Sequence, residues 1–240
     1  MRVLRIIHKW LGLIVGLQLL LWTVSGLVFA MLDHEDAAGE NSVRALPVAV
    51  LEPDVRLVEP AAWLGDYAGS ELVDISLMHR LDRWIYRVRF ADRVELRQAG
   101  DGTRFVIEEA IIRRLATATY AGTGTLRTVS FRATPVLEAR GAGPVWQAAF
   151  DDADQTSLYF SAEDGRLVAA RNDVWRFFDF FWMLHTMDYR GRDDFNNPLV
   201  ILFSTGALWL GISGALLLIR AFGRDKAPPK TCGRARAGAV

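Results

Sequence analysis

Two uncharged runs, one near each end of the chain, constrain this sequence more than any other feature. Leu11 to Leu32 holds no charged residue in 22 positions, and its polar members are Gln18, Thr23 and Ser25. Leu199 to Ile219 is uncharged over 21 positions. At 1.5 Å per residue either run makes a helix of roughly 31–33 Å, enough to cross a hydrocarbon core of about 30 Å. Pro198 stands where a first helical turn tolerates it, because that turn has no use for the missing N–H. The sequence therefore predicts transmembrane helices over 11–32 and 198–220. A cleaved signal peptide is the alternative for the first run, since Arg2, Arg5 and Lys9 resemble a charged leader and the 37–38 region offers a cut point. A signal core is usually about 7–15 residues, so the longer run is read as an uncleaved anchor.

Charge gives these spans a direction. The chain balances 28 Lys and Arg against 28 Asp and Glu, but the balance is made of blocks. Residues 1–10 carry +3, and residues 32–197 hold 19 Arg against 27 acids, a net −8. From Arg220 onward six cations face Asp225 alone, a net +5. Cations on the terminal side of both spans place 1–10 and the basic tail 221–240 in the cytoplasm. Residues 33–197 then lie outside, in the periplasm of a Gram-negative bacterium. This pattern excludes a plain cytosolic domain and argues against a nucleic-acid partner; the first partner is the lipid bilayer. The single Cys232 allows no disulfide within the chain. The tail, rich in Gly, Pro, Ala and cations, is predicted to be disordered and drawn to anionic headgroups.

The central block reads as α+β. Trp84 to Phe90 alternates apolar and polar residues as a half-buried strand does, and Val94 to Gln98 leads through Gly100-Asp101-Gly102 into a strand at 103–106. Val145 to Phe150, Thr156 to Ser161, the turn Glu163-Asp164-Gly165 and Arg166 to Ala170 repeat that order about 63 residues later. Ile107 to Tyr120 between them has a helical apolar face at Ile111, Ile112 and Leu115. A shorter helix is expected near Pro60 to Tyr67, after an extended linker marked by Pro47, Pro53 and Pro60. The units are placed at about 54–106 and 107–171, followed by an aromatic interfacial segment at 174–185.

These residues resemble a known family. His8-Lys9-Trp10-Leu11-Gly12-Leu13 running into Trp22-Thr23-Val24-Ser25-Gly26-Leu27 is similar to the first helix of PepSY-associated transmembrane proteins. Leu158 to Leu167, with its Asp164-Gly165 turn, resembles the end of a PepSY domain. Leu184-His185, Thr205-Gly206, Ile212-Ser213-Gly214 and Arg220 resemble the family's last helix. The resemblance implies two transmembrane helices flanking a periplasmic domain of two PepSY-like helix-plus-antiparallel-meander units. Larger relatives carry four or more spans, so this is a reduced two-span form. It further implies an accessory to transmembrane electron transfer or ferric-siderophore reduction in iron uptake, with haem as the cofactor. The alternative it implies is a non-enzymatic periplasmic module that regulates a peptidase or another membrane partner. A weaker third reading is a structural subunit whose spans recruit a reductase.

Few residues can carry chemistry. Gly12 and Gly16 follow His8 at i+4 and i+8, so the three share one helix face. That face can seat a flat macrocycle with His8 as axial ligand, or it is a packing face with His8 at headgroup level. His34 and His185 are both expected near the outer surface, as two axial ligands or a metal pair. Their plain readings are a residue in the acidic run Asp33 to Glu40 and the end of an aromatic anchor, Trp175 to Trp182. His8 and His34 lie roughly 39 Å apart along a continuous helix and cannot share one iron. His79 is expected to be ordinary surface. Asp188 to Asn197 is either a ligand surface or a cap whose Arg–Asp pairs fix the turn into the second span. Ala207, Gly211 and Ala215 offer a small-residue face for the other span or for a partner helix. With two spans, a homodimer or a membrane partner subunit must complete any haem site. No nucleophile elbow, phosphate loop, dinucleotide fingerprint or metal-ligand motif is present, and an autonomous enzyme is not expected.

Overall fold

The structure, a computed structural model, describes residues 2–224. The expected disordered tail, with Cys232, lies outside the described residues. Two long apolar helices bracket the chain: α1, Arg2–Met31, and α6, Pro198–Arg224. Both are long and apolar enough to cross a membrane. Between them stand two four-stranded antiparallel sheets and the helices α2, His34–Ala38, α3, Ala61–Leu64, α4, Glu109–Thr119, and α5, Asp173–Thr186. The chain divides into two compact units, residues 28–182 and the pair 1–27 with 183–240.

Within residues 28–182, each sheet is a simple meander. The first runs in the order β1 Leu72–Arg80, β2 Arg83–Phe90, β3 Val94–Gln98, β4 Arg104–Phe105. The second runs β5 Leu126–Arg132, β6 Val145–Phe150, β7 Ser157–Ser161, β8 Leu167–Arg171. The two repeat one another in detail. The first pair of each sheet carries a register shift at its start, between Leu72 and Asp74 and between Leu126 and Thr128. Phe90 and Phe150 hold the same place opposite Leu72 and Leu126. The Gly102 and Gly165 N–H groups donate to Gln98 O and Ser161 O at the same 2.9 Å. Both glycines have positive φ, 74° and 66°. A side chain at Gly165 would also press within 3.2 Å of Ile107 and Leu115, so glycine is required there twice over.

Each sheet has four strands where the alternation showed three. A register shift stands at the first residues of β1 and of β5, and burial along neither strand alternates.

One core joins both sheets through α4. Ile85 and Leu96 from the first sheet meet Ile112 and Leu115 of α4 and Phe150, Leu158 and Phe160 of the second. The opposite face of the first sheet, Tyr86, Val88 and Phe90, packs on Trp63 of α3. The opposite face of the second, Val145 and Tyr159, is covered by the β5–β6 connection at Val136 and Ala139. Trp84, Tyr86, Val88 and Phe90 of β2 serve one core and Ile85 serves the other, with Arg87 and Arg89 at the remaining alternate positions, so the alternation is readable. α2 is capped by Asp33, whose carboxylate accepts the Glu35 and Asp36 N–H groups. Gly39 ends α2 so close to the Ala170 carbonyl that a side chain would stand 2.6 Å from that oxygen.

Candidate functional site: two serine-held histidines

The unit formed by residues 1–27 and 183–240 is built on an antiparallel helix pair. Gly12 faces Leu210, with room for a methyl group at 3.6 Å. Val15, almost fully buried, lies against Gly206, where an added methyl would come within 3.0 Å of it. His8 lies against Gly214, whose missing side chain would reach 3.2 Å from its Cε1. Steps up α1 match steps down α6, so Gly206, Leu210, Ser213 and Gly214 form the packing face. The small-residue stripe expected to pack lies one position round: Gly211 has nothing within 4 Å of its would-be side chain, and Ala215 is exposed. Gly16 is equally open, whereas Gly12 is taken up by Leu210.

His8 Nδ1 is 2.7 Å from Ser213 Oγ. Ser213 Oγ also lies 3.0 Å from the Leu210 carbonyl and donates to it. With its one hydrogen on that carbonyl, the serine oxygen can accept from His8 Nδ1.

His185 repeats the arrangement on the last turn of α5. Its Nδ1 is 2.8 Å from Ser25 Oγ, which donates to Leu21 O at 2.8 Å and leans on Trp22 O at 3.1 Å. The serine thus links the imidazole to the backbone of α1. Trp22 Nε1 donates to the His185 carbonyl at 2.7 Å, and Gln18 Nε2 reaches Leu184 O at 3.4 Å. Ser25 is 1 % exposed, so its one buried oxygen is fully committed.

The level of His185 differs from expectation. It stands beside Ser25, six residues before the end of α1, or about 9 Å along the helix. The cause is the course of the aromatic segment. Phe29 packs on Phe178 at 4.9 Å and on Trp182 at 6.0 Å, so α5 runs alongside the end of α1. The aromatic run is thus a helix-packing surface, and it carries its histidine into the apolar stretch.

The segment after α5 is a built turn. Asp188 accepts four backbone N–H groups, from Arg190, Gly191, Asp193 and Asp194, each at 3.1 Å. Those bonds, led by the one from Asp194, hold its carboxyl at a pKa of about 2. Carboxylate-to-backbone bonds thus do the capping that Arg–Asp pairs were expected to do. Asn197 then caps α6 by accepting Val200 N–H at 3.1 Å and donates to Thr186 O at 2.8 Å.

His34 is exposed on α2, behind the cap of Asp33. His79 is half-buried on β1, with its ring centroid 5.0 Å from that of Trp84 in an edge-on arrangement. Among the described residues no group of three or more His, Cys, Asp or Glu side chains is placed to hold a metal ion. Ser25, Ser213 and Trp22 were not singled out as site residues, although Ser25 was one of three polar residues in an apolar run. A hydroxyl in such a run needs a partner, and that was the available signal. Compared with known proteins, the chain matches no family model, no curated protein and no solved structure.

Proposed function

We propose that this chain is a reduced, two-span PepSY-type protein of the bacterial inner membrane. It serves transmembrane electron transfer in iron uptake, with haem held by His8 at the inner level and His185 at the outer. One observation carries the reading: two imidazoles, 17 residues apart in their α1 levels, each have Nδ1 within hydrogen-bond distance of a serine hydroxyl of the helix pair. That separation is about 26 Å along α1, so they serve two groups rather than one. A ligand histidine needs this second partner on its other nitrogen, which fixes the tautomer and raises ligand basicity.

The donor set suits haem in chemistry and is half of what six-coordination requires in number. Each level supplies one imidazole, so a homodimer or a membrane partner subunit supplies the other axial ligand. A bound haem iron supplies one-electron chemistry between its ferric and ferrous states. The chain's own residues orient the ring nitrogens: Ser213 and Ser25 hold the Nδ1 protons, Trp22 fixes the His185 backbone, and Gly214 clears space beside His8. His34, exposed on α2, is left outside this set.

The membrane reading is supported by the exposed surface of the two helices. Leu13, Leu17 and Leu20 of α1 and Leu202, Leu208 and Ile219 of α6 are each 59–68 % exposed, which water would not tolerate in such density. Orientation rests on the cations that flank both spans on their terminal sides.

The test is an absorption spectrum of the detergent-extracted chain after expression with a haem precursor. A Soret band that shrinks in His8→Ala and in His185→Ala supports the assignment. A colourless protein, or a band unchanged in both variants, defeats it.

A further inference from the structure

Residues 28–182 contain a cleft of about 670 Å³ that neither sheet core nor the histidine pair accounts for. The extended segment Leu46 to Ala49 forms one wall, and the end of β1, Leu77 to Leu81, forms the other with Trp84. Leu46 and Arg80 also line an adjoining hollow of about 290 Å³, which adds Arg44, Phe160 and Arg166. The volume is that of a site for a small organic molecule. Its walls are apolar, with Trp84 and Val48 offering contact area.

The charged lining has one sign. Arg44, Arg80 and Arg166 face the two hollows with His79, and no Asp or Glu lines either. This occurs in a block where 27 acids outnumber 19 arginines. The nearby carboxylate is Asp164, and it is divided. One oxygen accepts the Arg166 N–H at 3.1 Å and lies 3.8 Å from Arg166 Nε, while the other is 3.5 Å from Arg87 Nε. Its backbone oxygen accepts from Arg80 Nε at 3.1 Å. Among the described residues neither Arg44 nor Arg80 has a carboxylate within 4 Å. Buried Arg87 Nε lacks a hydrogen-bond acceptor there as well. Burial lowers the Arg80 pKa, Asp164 opposes that, and Arg87 adds to it. Arg80 is half-buried while Arg44 and Arg166 are exposed, so these like charges share one buried carboxylate and leave guanidinium groups open to an arriving anion.

We infer that this cleft binds an amphipathic organic carboxylate. Its headgroup lies among Arg44, Arg80 and Arg166, where guanidinium forks match a carboxylate in two parallel bonds. Its apolar body lies along Leu46 to Ala49 and Trp84. This site is independent of any haem.

The probe is 4-benzoylbenzoate, a photoreactive aromatic carboxylate, compared with its uncharged methyl ester. The full chain in detergent is irradiated with each, and labelled peptides are mapped by mass spectrometry. The acid should label the 46–49 and 77–84 peptides about tenfold more than the ester does, the ratio expected of charge-assisted contacts. An Arg80→Gln/Arg166→Gln variant should lose that labelling while labelling of α1 and α6 stays as in the parent. Equal cleft labelling by acid and ester in the parent chain would overturn the inference without reference to any variant. So would a variant, with its spans labelled normally, that keeps the parent's cleft labelling.

Discussion

Ser213 Oγ stands 2.7 Å from His8 Nδ1 and gives its own hydrogen to the Leu210 carbonyl one turn away. The pair is thereby directional: the helix holds the serine and the serine holds the imidazole. Ser25 and His185 repeat it with Leu21 as the carbonyl. Removing either hydroxyl frees the ring to flip or change tautomer. Ser213→Ala and Ser25→Ala should each weaken haem retention by about 10–100-fold, the range for outer partners of ligand histidines. Haem titration of the extracted protein followed at the Soret band measures this, and Ser→Thr at either position should restore most of it.

The helix pair makes a prediction that needs no cofactor. Gly206→Val pushes a branched side chain into Val15, already at 3.0 Å from a mere methyl, and should cost about 1–3 kcal/mol as overpacking does. Gly16→Ala and Gly211→Ala meet nothing within 4 Å and should hold or raise the thermal midpoint in detergent, as alanine favours a helix interior. A midpoint equally lowered by all three would mean that a different face of α6 meets α1.

That contrast also shows what sequence alone can reveal here. The two apolar runs, the Trp84 to Phe90 strand and the helix over 109–119 follow from composition and period, because each buries a regular face. β1 and β5 do not, since burial along neither strand alternates. His8, Gly12 and Gly16 could be placed on one face by counting. Which face of α6 meets them could not, because Gly206 and Ala207 are one residue apart and only three-dimensional packing chooses between them. That His185 stands beside Ser25 could not be read either, because it depends on how far α5 continues beside α1, a matter of Phe29 meeting Phe178 and Trp182.

The shared core predicts where folding of residues 28–182 is most sensitive. Leu158 is fully buried between α4 and both sheets. Leu158→Ala should destabilise by about 2–5 kcal/mol through lost burial and the cavity left behind. Chemical denaturation followed by Trp fluorescence would check it, with the exposed Leu137→Ala as a near-neutral control.

Asp188 supplies a pH dependence with a definite sign. Its folded pKa of about 2 lies below the ordinary 3.8, so its contribution is complete above about pH 4 and is lost as pH falls toward 2. Asp188→Ala should lower the thermal midpoint at neutral pH and flatten its fall between pH 4 and 2. An Asp188→Ala profile parallel to that of the parent would show that the four backbone bonds do not hold this turn.

The central claim is that two serine-held histidines bind redox-active haem at two levels of one helix pair. A reduced-minus-oxidised absorption spectrum of the extracted full chain, taken beside His8→Ala and His185→Ala, tests it most directly. The account predicts a haem signal in the parent chain, partial loss in each single variant and none in the double variant. A parent chain without haem absorbance, or a double variant with the full signal, would contradict it.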